Sequence, residues 1–218
     1  MKRKTLFILA ALALLLAFVV GTLLHTAERT EQAAQQADIH RDALERMYSP
    51  SLGPRDAAVV IVEFLDPACE TCKNFYPRVK ALLAEHPGQI RLVLRYAPFH
   101  DGSDKVVAVL EAARKQGKYW PTLEALLAAQ AEWTEHHSAR LERVWPHLEG
   151  LGLNMEQLKT DMAAPEIADL IAQDLADAAT LDVSKTPDFF VNGRPLPSFG
   201  YRQLRDLVDA ALNEAARR

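Results

Sequence analysis

The amino-acid sequence predicts an α/β domain with a helical insertion, preceded by one N-terminal transmembrane helix. Three observations support this fold class. An uncharged apolar stretch lies near the start of the chain, short apolar runs at 59–65 and 188–191 have the character of buried strands, and nearly every segment within about 103–181 has helical periodicity. With 218 residues, of which 49% are hydrophobic, the chain is long enough for one well-packed core.

The stretch from Thr5 to Leu24 contains no charged residue and has about the length needed to cross a hydrocarbon core of roughly 30 Å. Two interpretations are open: a cleaved signal peptide, or an uncleaved anchor at 5–25 whose basic start, residues 1–4, stays in the cytoplasm. The apolar run exceeds the ~7–15 residues of a usual signal core, and no clear small-x-small cleavage site follows it. The anchor is therefore favoured, and either interpretation places the rest of the chain outside the cytoplasm.

The charge balance argues against nucleic acid as a partner. The chain has 25 Lys and Arg against 29 Asp and Glu, and three of the basic residues, Lys2, Arg3 and Lys4, stand before any acidic one. Binding to a phosphate backbone needs a basic face, which this balance does not suggest.

Residues 26–52 are predicted to form a polar, Ala- and Gln-rich spacer that lifts the domain off the bilayer, with a dimerising helix as the alternative. Turn-forming residues from Tyr48 to Pro54 mark the domain entry. The folded domain is expected to span 53–218.

The first strand of this domain leads directly into a helix. The run 59–65 is rich in β-branched residues and has the pattern of a strand buried on both faces. Apolar residues then recur at helical spacing from Phe75 to Leu83, and Pro87-Gly88 ends the helix. Cys69 is therefore expected at the helix N-terminus.

The remaining elements follow from the same patterns. Apolar and basic residues alternate over 90–96, which predicts a second strand. After the helical insertion, the strand at 188–191 is followed by the turn Asn192-Gly193 and an edge strand at 194–196, the pattern of a β-hairpin. The last helix is amphipathic, with its apolar residues between Leu204 and Leu212.

The chain has two cysteines, Cys69 and Cys72. A disulfide that closes so short a loop constrains the unfolded chain very little, so a purely structural role is a poor use of both. Unpaired backbone N–H groups at a helix N-terminus stabilise a thiolate, which makes Cys69 the expected attacking thiol and Cys72, one turn later, the resolving thiol. The pair is also half of a four-ligand zinc site, but no second pair exists, and no metal or other cofactor is expected besides the redox-active disulfide.

The string IVEFLDPACETCKNFYP resembles the active-site segment of thioredoxin-fold proteins and is closest in context to the exported DsbA-like branch. Glu63 matches the buried carboxylate of that family, and Pro77 matches the proline that kinks its first helix. Thr186-Pro187 resembles the cis-proline loop of the family. The resemblance covers about 53–215 and implies a thioredoxin-like fold with a helical insertion.

The resemblance also implies an activity, namely thiol–disulfide exchange on cysteine-containing exported proteins. Glu63 would relay protons to and from Cys72, and Thr186, beside a cis Pro187, would offer its backbone to an extended substrate chain. The expected location is the bacterial inner membrane, with a single span and the catalytic domain in the periplasm or extracytoplasmic space. Because the predicted span contains no cysteine, a separate membrane redox partner must reset the active site.

The sequence departs from the DsbA pattern between the cysteines, at Glu70 and Thr71, where strongly oxidising members place a histidine second. With an anion adjacent and no cation, the Cys69 thiolate is expected to be less stabilised, and the direction of electron flow stays open. An anchored metal-binding or chaperone module on the same fold, without redox turnover, is the alternative function. A third interpretation is an interaction module with an incidental disulfide.

Overall fold

The structure is a computed structural model that describes residues 40–217, and the compact unit that contains both cysteines begins at Ala43. Its helices and strands, in chain order, are β1 (Ser51–Leu52), β2 (Val59–Leu65), α1 (Glu70–Glu85), β3 (Ile90–Tyr96), α2 (Ser103–Lys115), α3 (Tyr119–Ala128), α4 (Gln130–Trp133), β4 (Thr134–Glu135), β5 (Ser138–Ala139), α5 (Met155–Met162), α6 (Pro165–Thr180), β6 (Asp188–Val191), β7 (Arg194–Pro195) and α7 (Tyr201–Ala215).

A five-stranded sheet with the order β1-β3-β2-β6-β7 organises this unit. Strands β2 and β3 are parallel, with the register running from Val59 opposite Ile90 to Leu65 opposite Tyr96. Parallel neighbours need a crossover connection, and α1 supplies it. The other three pairings are antiparallel. Strand β2 therefore has partners on both sides, which explains why its residues are almost all buried.

The two faces of the sheet are covered by different elements, because successive side chains of a strand point to opposite sides. Ile61 and Leu65 of β2 belong to the main core, together with the apolar residues of α1 and α7. Val62 and Phe64 belong to a second cluster with Ala178 of α6. Glu63, which shares the side of Ile61 and Leu65, thus lies on the face covered by α1.

The insertion between β3 and β6 is mainly helical, as predicted, but it departs from the prediction in two places. A short antiparallel hairpin, β4 and β5, turns at His136 and His137, whose φ angles are 49° and 61°. The segment 141–148, whose periodicity predicts a helix, forms two short 3-10 helices. Pro146 explains the second difference, because proline has no N–H to donate within a helix and restricts the residue before it.

The domain begins earlier than the turn at Tyr48–Pro54 indicates. Leu44 is buried, and β1, which was assigned to the spacer, pairs with β3. The spacer therefore cannot extend to residue 52. The predicted anchor at 5–25 and the spacer up to residue 39 lie outside the described residues. Within 40–217, no helix combines the length and the apolar character that crossing a membrane requires.

A buried charge cluster ties β3 to α6. The guanidinium of Arg95, which is fully buried, donates to Asp174 at 2.7 Å and to Asp177 at 2.6 Å, and it also donates to the backbone oxygen of Ala43. Asp174 in addition accepts a hydrogen bond from the Tyr48 hydroxyl at 2.7 Å. These contacts hold the segment from Ala43 to Tyr48 against the sheet.

Candidate active site

Cys69 and Cys72 lie at the start of α1, directly after the loop that leaves β2. Cys69 is the N-cap residue of the helix, with extended backbone angles, and its sulfur accepts a hydrogen bond from the Cys72 N–H at 3.4 Å. Both cysteines are free thiols. Cys69 is 6% exposed and Cys72 is fully buried. The predicted position of Cys69 at the helix N-terminus is confirmed.

The Cys69 thiol is strongly acidified. A hydrogen bond from the Cys72 side chain lowers the pKa of Cys69 from its ordinary value of 9.0 to about 5, and hydrogen bonds from the backbone of Cys72 and Thr71 act in the same direction against the effect of burial. Glu70 was expected to oppose this ionisation, but it is exposed and its charge is screened by solvent. At neutral pH Cys69 is therefore mainly a thiolate.

Cys72 has the opposite character. Burial, followed by the hydrogen bond to Cys69 and the charge of Glu63, raises the pKa of Cys72 well above its ordinary value of 9.0. The two thiols thus differ in ionisation: the Cys69 sulfur is mainly a thiolate, and the Cys72 sulfur keeps its proton.

Glu63 is a fully buried carboxyl on the face of β2 that α1 covers. Neither of its carboxyl oxygens has a hydrogen-bond partner within the described part of the chain. Burial, with a smaller contribution from the Cys69 charge, raises the pKa of Glu63 from 4.5 to about 8. A carboxyl in this state is mainly protonated at neutral pH, yet it can release and take back a proton near pH 8.

The loop before β6 completes the surroundings of Cys69. The peptide bond between Thr186 and Pro187 is cis, as predicted. The backbone oxygen of Thr186 lies 3.2 Å from the Cys69 sulfur, and it accepts a hydrogen bond from the Cys69 thiol when that thiol is protonated. Of the five predicted site residues, Cys69 and Cys72 lie at the start of α1, and Thr186 contacts Cys69. Pro187 follows Thr186 through the cis bond, and Glu63 lies on the sheet face that α1 covers.

Two buried polar residues that the sequence analysis did not single out reach the same loop. Asp66 is fully buried and accepts a hydrogen bond from the Ala68 N–H at 2.9 Å. Gln130, at the start of α4, donates to the backbone oxygens of Pro67 at 2.8 Å and of Cys69 at 3.0 Å. Asp66 could have been found from the sequence, because it directly follows the apolar run of β2 and stands three residues before Cys69. No residue pattern near Gln130 indicates a contact with the cysteine loop.

Exposed aromatic residues flank the site. Phe99 and Phe199 are among the large hydrophobic residues that the described chain leaves exposed. The ring of Phe199 lies 4.8 Å from that of Phe75, which is one turn after Cys72 in α1. Phe99 directly precedes His100, whose backbone N–H donates to Asp66 at 2.8 Å. Both exposed rings thus belong to segments that contact α1 or the loop before it.

Known proteins resemble this chain in sequence and in fold. A family model described as thioredoxin matches residues 45–210. A thioredoxin-like oxidoreductase from Silicibacter pomeroyi DSS-3 is 35% identical, with a TM-score of 0.69 over 79% of this chain and 98% of that one. The thiol-disulfide exchange protein alpha-DsbA2 from Wolbachia pipientis is 21% identical, with a TM-score of 0.67 over 84% of this chain and 97% of that one. At 21% identity the likeness concerns the fold alone.

Longer proteins contain a similar region. The Na(+)/H(+) antiporter NhaA of Herminiimonas arsenicoxydans is 30% identical over 160 residues, which are 73% of this chain and 25% of the antiporter. The chain therefore spans about a quarter of the length of the curated relatives it matches.

Proposed function

Because the chain belongs to the thioredoxin family, we propose that it is a thiol–disulfide oxidoreductase whose active site is the pair Cys69 and Cys72. The observation that carries the proposal is the asymmetry of the two thiols. Cys69 is an acidified, slightly exposed thiol at a helix N-terminus, and Cys72 is a protonated thiol buried directly behind it. Thiol exchange needs one ready nucleophile and one resolving thiol held in reserve, and this pair provides both.

The proposed reduction of a substrate proceeds in two exchanges. The Cys69 thiolate attacks one sulfur of a substrate disulfide, the substrate S–S bond breaks, and a mixed disulfide forms while one substrate thiolate leaves. The Cys72 sulfur, once deprotonated, attacks the sulfur of Cys69 and releases the second substrate thiolate. The enzyme is left with a disulfide between Cys69 and Cys72, and two electrons have passed to the substrate. Oxidation of a substrate dithiol is the same sequence in reverse.

Glu63 is proposed to remove and return the proton of Cys72. The resolving step needs the Cys72 thiolate, which burial disfavours. Glu63 lies on the face of β2 that α1 covers, its charge affects the pKa of Cys72, and its own pKa of about 8 permits proton transfer near neutral pH. A carboxyl without a hydrogen-bond partner is costly to keep buried, which supports a role in chemistry.

Thr186 and the exposed aromatic residues are proposed to hold the substrate. The backbone oxygen of Thr186 lies 3.2 Å from the Cys69 sulfur, so an extended peptide attached to Cys69 would run beside this loop and could pair with its backbone. Phe99 and Phe199 would contact apolar side chains of the substrate. The proposed substrates are therefore extended, cysteine-containing segments of exported proteins.

The location is proposed from the sequence. The uncharged stretch from Thr5 to Leu24, with Lys2, Arg3 and Lys4 before it, supports a single-pass anchor in the bacterial inner membrane with the catalytic domain in the periplasm or extracytoplasmic space. A span without cysteine cannot carry electrons by thiol exchange, so a separate membrane redox partner is proposed to restore the pair after each cycle.

Thiol exchange by the full chain tests the function, with glutathione and a disulfide-bonded peptide as reactants. Cys69→Ser should abolish exchange. Cys72→Ser should accumulate mixed disulfides with the peptide, visible by mass spectrometry and absent after reduction, because the resolving thiol is missing. Equal trapping by both variants would overturn the assigned roles. Tight binding of Zn²⁺ or Cu⁺ by the unaltered chain, without any exchange, would instead support the metal-carrier alternative.

A further inference from the structure

The carboxylate of Asp66 is the meeting point of three segments next to the active site. It is fully buried and accepts hydrogen bonds from the Ala68 N–H at 2.9 Å, from the backbone N–H of His100 at 2.8 Å and from the Ser103 hydroxyl. The Nδ1 atom of His100 lies 2.6 Å from the same carboxylate. Asp66 therefore joins the cysteine loop to the segment before α2 and to the first residue of α2.

Gln130, which belongs to the helical insertion, contacts the same loop. It is buried at the N-terminus of α4, and its single Nε2 atom donates to the backbone oxygens of Pro67 and Cys69. The second of these oxygens also accepts the Lys73 N–H at 3.1 Å, which is the first hydrogen bond of α1. Gln130 thus contacts both the loop and the beginning of the helix.

Asp66 and Gln130 hold opposite ends of one peptide group. In a planar trans peptide the C=O and the N–H point in opposite directions. The C=O of Pro67 accepts from Gln130, while the N–H of Ala68, in the same peptide group, donates to Asp66. This group cannot rotate without breaking both contacts. The next N–H, that of Cys69, donates to the Asp66 backbone oxygen at 3.0 Å, so the whole turn is held.

We propose that Gln130 is a positioning residue for the nucleophile, which holds the Cys69 sulfur in front of the N–H groups of Thr71 and Cys72 while Asp66 holds the other end of the turn. The inference rests on the proposed function for its significance, but the positioning can be measured without it. If the amide of Gln130 is removed, the oxygens of Pro67 and Cys69 lose a donor, and the carbonyl of Cys69 is free to tilt. The first turn of α1 then no longer presents its N–H groups to the sulfur.

The test compares Gln130→Ala with Gln116→Ala in the full chain. Gln116 is a matched control, because it lies in the same helical insertion and its amide makes two hydrogen bonds with the backbone of Asn154, at 3.1 Å and 2.8 Å. The rate of Cys69 alkylation by iodoacetamide is measured against pH, which reports the thiolate fraction and needs no protein substrate. Failure of thiol exchange in the unaltered chain would therefore leave this measurement valid.

Gln130→Ala should move the midpoint of the alkylation profile upward by about one pH unit, a tenfold change in the Cys69 ionisation constant. Gln116→Ala should leave the midpoint where it is. Gln130→Met, which keeps the side-chain volume but has no donor, should reproduce the shift of Gln130→Ala. An unchanged midpoint in Gln130→Ala, or a shift in Gln130→Ala that Gln130→Met lacks, would overturn the proposal, since Gln130 would then act only through packing.

A second measurement uses the unaltered chain and does not depend on whether the variants fold. Ionisation of Cys69 places a charge next to its own carbonyl, which the Gln130 amide contacts at 3.0 Å. In an ¹⁵N NMR titration the side-chain amide resonance of Gln130 should therefore shift with the midpoint of Cys69, whereas that of Gln116 should not. A Gln130 resonance that does not respond to this ionisation would contradict the proposed contact.

Discussion

Glu63 should give the stability of the folded domain a measurable dependence on pH. Its pKa is raised from 4.5 to about 8, chiefly by burial, so between these two pH values the folded chain binds a proton that the unfolded chain has lost. The contribution of protonated Glu63 to the free energy of unfolding is therefore fully present below pH 4.5, and it is lost as the pH rises toward 8. At about 1.4 kcal/mol per pH unit, this one carboxyl lowers the free energy of unfolding by roughly 3 kcal/mol at pH 7.

The variant Glu63→Gln removes the titration while keeping the shape of the side chain. Urea unfolding of the full chain, followed by tryptophan fluorescence with the disulfide formed so that neither cysteine titrates, gives the free energy of unfolding at each pH. The two curves should run together near pH 4 and separate above it, with the variant gaining roughly 3 kcal/mol by pH 7. Burial is the largest cause of the shift, so the effect should persist with the disulfide present.

Glu124→Gln serves as the control for this experiment. Glu124 is exposed, and its hydrogen bond with Lys80 lowers the pKa of its carboxyl, so its removal cannot produce a gain that grows with pH. Parallel curves for Glu63→Gln and the unaltered chain between pH 5 and 8 would refute the reasoning, because Glu63 would then titrate as it does in the unfolded chain.

Three further predictions follow from the same structure. The Cys69–Cys72 couple should have a reduction potential between about −120 and −270 mV, the values of DsbA and thioredoxin, because the Cys69 pKa of about 5 lies between their roughly 3.5 and 7. Glutathione titration measures this potential. A value at either end of the range would contradict the link between the stability of the thiolate and the potential. A chain that begins at Ala43 should unfold at the same temperature as the domain in the full chain. A chain that begins at Gly53 should unfold at a lower temperature, because it lacks β1 and the backbone oxygen of Ala43 that accepts from Arg95. Asp174→Ala should lower the free energy of unfolding in urea by about 3 kcal/mol, since it leaves the Arg95 guanidinium buried with fewer partners, and a loss near zero would show that water reaches this cluster.

Local patterns were sufficient for the central part of the fold. Strand β2 was predicted from its run of β-branched apolar residues and helix α1 from its helical spacing. The hairpin turn was predicted from the Asn192-Gly193 dipeptide, and these two residues have φ angles of 47° and 79°. The start of the domain was misplaced because the turn residues near Pro54 are a strong local signal, whereas the burial of Leu44 and the pairing of the two-residue strand β1 depend on distant partners. The hairpin at 134–139 was missed for a similar reason, since its strands are only two residues each.

The sequence by itself determined where the two thiols lie relative to the helix and which of them is proposed to react. A strand followed by a short loop and a helix places Cys69 at the N-terminus of α1, and the unpaired N–H groups there favour its thiolate. Only the tertiary structure decided how that position is held. Gln130 lies 61 residues from Cys69 and belongs to a different helix, and the contact depends on how the insertion packs on the sheet. Such a contact leaves no period or spacing in the sequence, because its energy comes from satisfying buried carbonyl groups that become buried only when the chain is folded.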